Sequence, residues 1–182
     1  MVCLFLADGY EEIEAITPVD ILRRAKAEVF FVGVYSKTVK SARGVSFVCD
    51  VELRELGEEF FEKVDVFILP GGMPGVDNLE KSDRLKKIIK SAFDSGKLIC
   101  PICAAPVLLS RWDITKDKRI TVFPGFEEEL ESFYVSGKSV EEDLNIISAK
   151  GAGCALDFSL KIAERYVSKD VSEKIAKAIQ KV

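Results

Sequence analysis

The chain has 182 residues, 26 basic and 30 acidic, with a formal net charge of -4 at neutral pH and no histidine. That length suits one domain over 1–182 with a full hydrophobic core, and the charge balance, without a basic cluster interleaved with aromatics, argues against nucleic acid as a partner. The missing imidazole removes the commonest metal ligand and the commonest general base together, so neither a metal centre nor a cofactor is expected.

Met1 is followed by "VCLFLA" (2–7), too short to span a bilayer and lacking a basic leader or cleavage site. It reads as a strand of a soluble, cytoplasmic protein with no membrane partner. An amphipathic stretch at 11–25 predicts a helix, and "EVFFVGV" (28–34) a second strand. Segment 38–53 has no helical period and turns at Gly44, which predicts a hairpin or an extension of the sheet edge. Then come strand "VDVFILP" (64–70), helix 82–95, strand "KLICPIC" (97–103), helix 104–112, strand "LNIISA" (144–149), helix 154–167 and a last helix from 170. Unbroken apolar runs suit parallel strands buried on both faces. Their alternation with helices predicts an α/β sandwich with a mostly parallel sheet. The five cysteines, Cys3, Cys49, Cys100, Cys103 and Cys154, are odd in number and lie in apolar segments, as reduced thiols do.

In such sheets functional groups gather at the carboxyl ends of strands, and three ends are unusual here. After the third long strand comes "PGGMPG", which lacks the Gly-Lys-Ser/Thr of a phosphate loop. Its paired glycines, Gly71 and Gly72, either form a plain turn or bring a backbone N–H close enough to stabilise an oxyanion. After the fourth, "ICPICAAP" turns straight into a helix, so Cys103 is either a buried structural thiol or a nucleophile whose pKa a helix N-terminus lowers. Cys100 lies in the strand itself. Three extended residues place it about 10 Å from Cys103, beyond the roughly 4.4–6.8 Å Cα separation of a disulfide, so a core role is favoured over a redox pair. After the first strand, Glu11, Glu12 and Glu14 open a helix. A solvated charge run explains the first two. Glu14 lies among Ile13, Ile16, Pro18 and Val19, where a buried carboxyl has a raised pKa and can donate a hydrogen bond.

Taken together, "ADGYEEIEAITPVDILRRA", "FILPGGMPGVDNL", "ICPICAAPVLL" and "SAKGAGCALDFSLKIAE" resemble the ThiJ/PfpI superfamily, most closely its branch of parkinsonism-associated deglycases, in collinear order from Met1 to near the C-terminus. The resemblance implies a flavodoxin-like three-layer fold with a nucleophile-elbow cysteine, and a homodimer. It places the reactive cysteine on Cys103 and the protonated glutamate on Glu14. The oxyanion donors fall on Gly72 and Ala104, beside Gly71. Arg24 and Arg43 match arginines that line the family's site near its dimer interface, and Gly151, Ala152 and Gly153 match a pocket wall.

The departures matter as well. Protease-like members carry a histidine at the position of Ala104, and the deglycase branch commonly has one where Phe123 stands. No Cys–His dyad can form, so a cysteine peptidase is rejected. Two active expectations remain, beside a degenerate family member with neither activity. One is an enzyme of the glyoxalase III or deglycase type, acting on a small reactive aldehyde or a glycated substrate through the Cys103 thiolate and Glu14. The other is a sensor of oxidative stress, or a chaperone-like protein, whose Cys103 is oxidised to a sulfinate without turnover.

Overall fold

Each long apolar run becomes a strand, and the strands assemble so that nearly every residue in them is buried on one face or the other. The computed structural model describes residues 1–130 and 134–181. In chain order these form β1 (Val2–Leu6), α1 (Glu12–Arg24), β2 (Val29–Gly33), the hairpin β3 (Thr38–Lys40) and β4 (Ser46–Val48), β5 (Val51–Glu52), α2 (Glu58–Phe61) and β6 (Val66–Leu69). They continue with α3 (Gly75–Glu80), α4 (Asp83–Asp94), β7 (Leu98–Pro101), α5 (Pro106–Arg111), β8 (Arg119–Ile120) and β9 (Tyr134–Val135). The last are β10 (Val140–Asp143), β11 (Ile146–Ala149), α6 (Ala155–Tyr166) and α7 (Lys169–Ala178).

Seven strands join in the order β10-β11-β7-β6-β1-β2-β5, all parallel except the β10–β11 pair. Side chains alternate across it. Cys3 and Phe5 of β1 pack with Phe61, Leu79, Leu85, Ile89 and Leu108 from the α2–α5 side. Val2, Leu4 and Leu6 pack with Val19 and Leu22 of α1, Phe158 and Ile162 of α6, and Ile175 of α7. The result is a three-layer α/β sandwich whose central strand order is flavodoxin-like. That order reverses between β1 and β6, and a crevice opens at the carboxyl ends of strands at such a switch point.

Segment 38–53 supplies both expected features: a hairpin turning at Gly44 (φ +88°) and the edge strand β5 against β2. Sequence reasoning missed β10, because "VEED" reads as a charged loop. It is an edge strand, where charges block further pairing, and its buried Glu141 is ion-paired with Lys138 at 3.2 Å. Among the described residues no helix is long and apolar enough to cross a membrane.

The loops after β1 and β6 meet backbone to backbone. Gly75 N–H donates to the Gly9 carbonyl (3.2 Å) and Glu11 N–H to the Gly71 carbonyl (3.0 Å). A Cβ on Gly75 would sit 2.7 Å from the Gly9 carbonyl group, so a side chain there must part the loops. Gly75→Ala is therefore expected to cost roughly 1–3 kcal/mol in urea unfolding. Gly137→Ala, where a Cβ meets no described atom within 4 Å, should stay within about 0.5 kcal/mol. Equal midpoints for the two variants would show that the contact does not constrain the loops.

Candidate active site

β7 ends at Pro101, Ile102 still bridges to Ala149, and Cys103 then turns into the left-handed region at φ +66°. A non-glycine residue there is strained by about 1–3 kcal/mol and persists only where its surroundings fix it. Here Cys103 N–H donates to the Ala149 carbonyl (2.8 Å), and the Cys103 carbonyl accepts from Phe123 N–H (2.9 Å). The strand–turn–helix path is that of a nucleophile elbow. Helix α5 begins at Pro106, not at 104, because a proline with no N–H and a fixed φ suits the first helical position. Cys103 thus lies ahead of a six-residue helix, and the expectation that a helix N-terminus lowers its pKa is corrected.

Glu14, in the first turn of α1, is 1% exposed. Its Oε2 accepts from Gly71 N–H at 2.8 Å, and the carboxyl also meets Ala152 N–H and the Cys103 thiol. Burial pushes Glu14 up to about 7. Burial, followed by the Glu14 charge and hydrogen bond, pushes the Cys103 thiol up to about 12, against the N–H groups of Ala104 and Gly72, which favour the thiolate. Two anions in contact at a dry site repel strongly. Above about pH 7 the pair therefore carries one negative charge and one proton, and the titration belongs to the pair. The thiolate becomes accessible when that proton sits on Glu14.

Gly71 makes this contact possible. A Cβ there would fall 2.5 Å from Cys103 Cβ and 2.8 Å from Glu14 Oε2. A cavity of about 420 Å³ opens over the half-buried sulfur, bounded by Gly72, Met73, Ala104, Phe123, Phe126 and Ala152, with Glu11, Ala42 and Arg43 also lining it. Arg43 is held there because Glu12 Oε1 accepts from the Ser41 hydroxyl and from Arg43 N–H, tying the hairpin loop to α1.

The structure thus brings Cys103, Glu14, Gly71, Gly72, Ala104, Arg43 and Ala152 together, with Gly151 behind them: a Cβ on it would reach within 3.8 Å of Cys103 Sγ. Arg24 is at the far end of α1, ten residues or about 15 Å beyond Glu14, pairs with Asp20 (2.8 Å) and does not line this cavity within one chain. One expectation is corrected. Gly153 faces open space, since nothing lies within 4 Å of where its Cβ would be. Cys100 is fully buried in β7, and burial holds its thiol well above the ordinary range. Phe126 and Met73 were missed. The "FPGF" spacing, two aromatics flanking a Pro-Gly turn, was the available signal for Phe126. Among the described residues no cluster of three Cys, Asp or Glu side chains is placed to hold a metal ion.

Glu14 has an ordinary value of 4.5 and titrates near 7 in the fold. The folded chain binds more protons between these values, so stability falls as pH rises from about 4.5 to 7. Glu14→Gln should abolish that decline, a difference on the order of 3 kcal/mol in denaturant unfolding. Because the Glu14 charge and hydrogen bond help to hold the thiol up, the midpoint for alkylation of Cys103 by iodoacetamide should move to lower pH in Glu14→Gln than in the wild type. An unmoved midpoint would show that the proton is not shared.

Residues 1–165 match the sequence model of the DJ-1/PfpI family. The Drosophila melanogaster protein dj-1beta is 35% identical over 179 residues, covering 97% of this chain and 94% of that protein. The Caenorhabditis elegans protein DJR-1.2, named a glutathione-independent glyoxalase, is 34% identical over 157 residues, covering 85% of this chain and 81% of its own. The crystal structure of Drosophila melanogaster DJ-1beta superposes with a TM-score of 0.92 at 33% identity, over 98% of this chain and 96% of that one. Toxoplasma gondii DJ-1, solved in an oxidized form, gives 0.92 at 30% identity, over 98% and 97%. The order of strands, the elbow and the full-length similarity agree: the chain belongs to the DJ-1/PfpI family, in its DJ-1 branch.

Proposed function

We propose that this chain is an enzyme of small reactive aldehydes, of the glyoxalase III or deglycase type, working without a bound cofactor. The observation that carries this reading is the thiol and carboxyl in contact, with the Gly72 and Ala104 N–H groups facing the sulfur. The Cys103 thiolate attacks the aldehyde carbon of a 2-oxoaldehyde, forming a C–S bond. The carbonyl π electrons move onto oxygen, where Gly72 and Ala104 N–H groups stabilise the charge and Glu14 delivers the proton. Ionised Glu14 then takes the C1 proton and returns it to C2, while the proton on the C1 oxygen passes to the ketone oxygen. The ketone becomes an alcohol and C1 a thioester, so oxidation and reduction balance within one molecule. Water cleaves the thioester to give a 2-hydroxy acid and frees the thiol. A carboxyl titrating near 7 suits both halves of this transfer. The C. elegans relative named as a glyoxalase supports the same chemistry. A glycated amine, the aldehyde's hemiaminal adduct, offers the same carbon once its C–N bond breaks and the protonated amine leaves, restoring the aldehyde that the thiolate attacks.

A second reading has its own support: a half-buried thiol beside a carboxyl able to donate to a sulfinate, and a relative from Toxoplasma gondii solved in an oxidized form. In it Cys103 senses peroxide without turnover. The unpaired state of all five cysteines suits the reducing cytoplasm in which we place the protein. We also propose a homodimer. Ile13 and Ile16 lie exposed on the face of α1 that carries Asp20 and Arg24, and Val45 and Val48 of the hairpin segment are exposed as well. Large apolar groups collected in this way suit an interface.

Purified protein should convert methylglyoxal to lactate, with Cys103→Ala reducing kcat/KM at least 1000-fold and Glu14→Gln reducing kcat about 10²–10⁴-fold. Turnover no faster than that of Cys103→Ala rejects the enzyme. Intact mass after mild peroxide then decides the second reading, which fails if no oxygen is added at Cys103. In sedimentation, wild type should run as a dimer and the Ile13→Glu, Ile16→Glu double variant as a monomer. A monomeric wild type would overturn the assembly.

A further inference from the structure

The proposed chemistry uses the floor of the cavity and leaves its apolar wall unexplained. Phe123 N–H is bonded to the carbonyl of the nucleophile itself at 2.9 Å, which holds its backbone beside Cys103. The ring rests on the bare face of Gly151. A Cβ at that glycine would lie 3.1 Å from Phe123 Cδ2 and 3.8 Å from Cys103 Sγ, so aromatic edge and sulfur flank the same point. Phe126 packs edge-on against Phe123, with centroids 6.3 Å apart and planes at 76°. Phe123 is nevertheless 45% exposed and Met73 48%, both on the cavity. Large apolar faces left open around a nucleophile are positioned for an apolar substituent of the substrate. The rim charges, Glu11 and Arg43, are of opposite sign and exert no common pull on an ionic one.

Resting on the aldehyde reading above, we propose that the site selects 2-oxoaldehydes whose ketone carbon carries an aromatic or bulky apolar group, with Phe123 the specificity-determining residue. With the aldehyde carbon at Cys103 Sγ and its oxygen toward Gly72 and Ala104, the substituent reaches the Phe123–Phe126 wall. There an aryl ring meets an aromatic edge and displaces water from both. The methyl of methylglyoxal is too small to cover that wall and fills a small part of a 420 Å³ cavity. Differences of this kind between apolar substituents are worth about 10–200-fold in kcat/KM.

The test compares phenylglyoxal with methylglyoxal by initial rates, and, independently of turnover, labelling of Cys103 by phenacyl bromide with that by bromoacetone, scored by intact mass against the same ratio for free cysteine. Wild type should prefer the aryl member of each pair at least tenfold, beyond free cysteine in the labelling arm. Phe123→Ala should lose at least fivefold of that preference while keeping the wild-type unfolding midpoint, with Phe123→Leu falling between the two. A labelling ratio equal to that of free cysteine, or one that neither variant changes, overturns the inference whether or not the protein turns over substrate. Absence of turnover with a Phe123-dependent labelling preference rejects the enzymatic reading and leaves the pocket's selectivity standing.

Discussion

A single proton held between Glu14 and Cys103 is the constraint around which the crevice is arranged. The carboxyl is buried too deeply to ionise cheaply, and the thiol sits too close to it for both to be charged. Four backbone N–H groups divide between the partners: Gly71 and Ala152 on the carboxyl, Gly72 and Ala104 on the sulfur. Backbone donors do not titrate and hardly move, so the balance between the two tautomers is set by the fold. A chain with no histidine thereby has an acid–base group active near neutrality.

The topology explains how four distant segments reach one proton. β1 and β6 are neighbours at the switch point, and β7 and β11 lie next to β6 in order, so the loops following all four strands open at one end of the sheet. Helix α1 leaves β1 on one face while α3 and α4 leave β6 on the other. The loops between must then cross at close quarters, which is why the glycines at 9, 71, 72 and 75 have backbone or reacting atoms within 3 Å of where a side chain would begin.

Much of this was legible in the sequence, for reasons that can be stated residue by residue. Strands β1, β2, β6, β7 and β11 were readable because burial on both faces leaves an unbroken apolar run. Glu14 stood out because a carboxylate amid isoleucine, proline and valine is out of place on a solvated face. Other features left no local trace. Ala104 and Ala105 look like helix, and only the left-handed turn at Cys103 together with Pro106 defers the helix start. The charged strand β10 hides behind its own edge protection. The poise of the thiol depends on a partner 89 residues away in the chain, which no reading of its immediate neighbours could supply. Arg24 was placed by motif alone, and within one chain it pairs with Asp20 on the exposed face of α1.

Finally, the φ of +66° at Cys103 sets folding and chemistry against each other at one position. The fold would be most relaxed with glycine there, yet glycine has no sulfur. A change to glycine would relieve the backbone and remove the thiol in the same step.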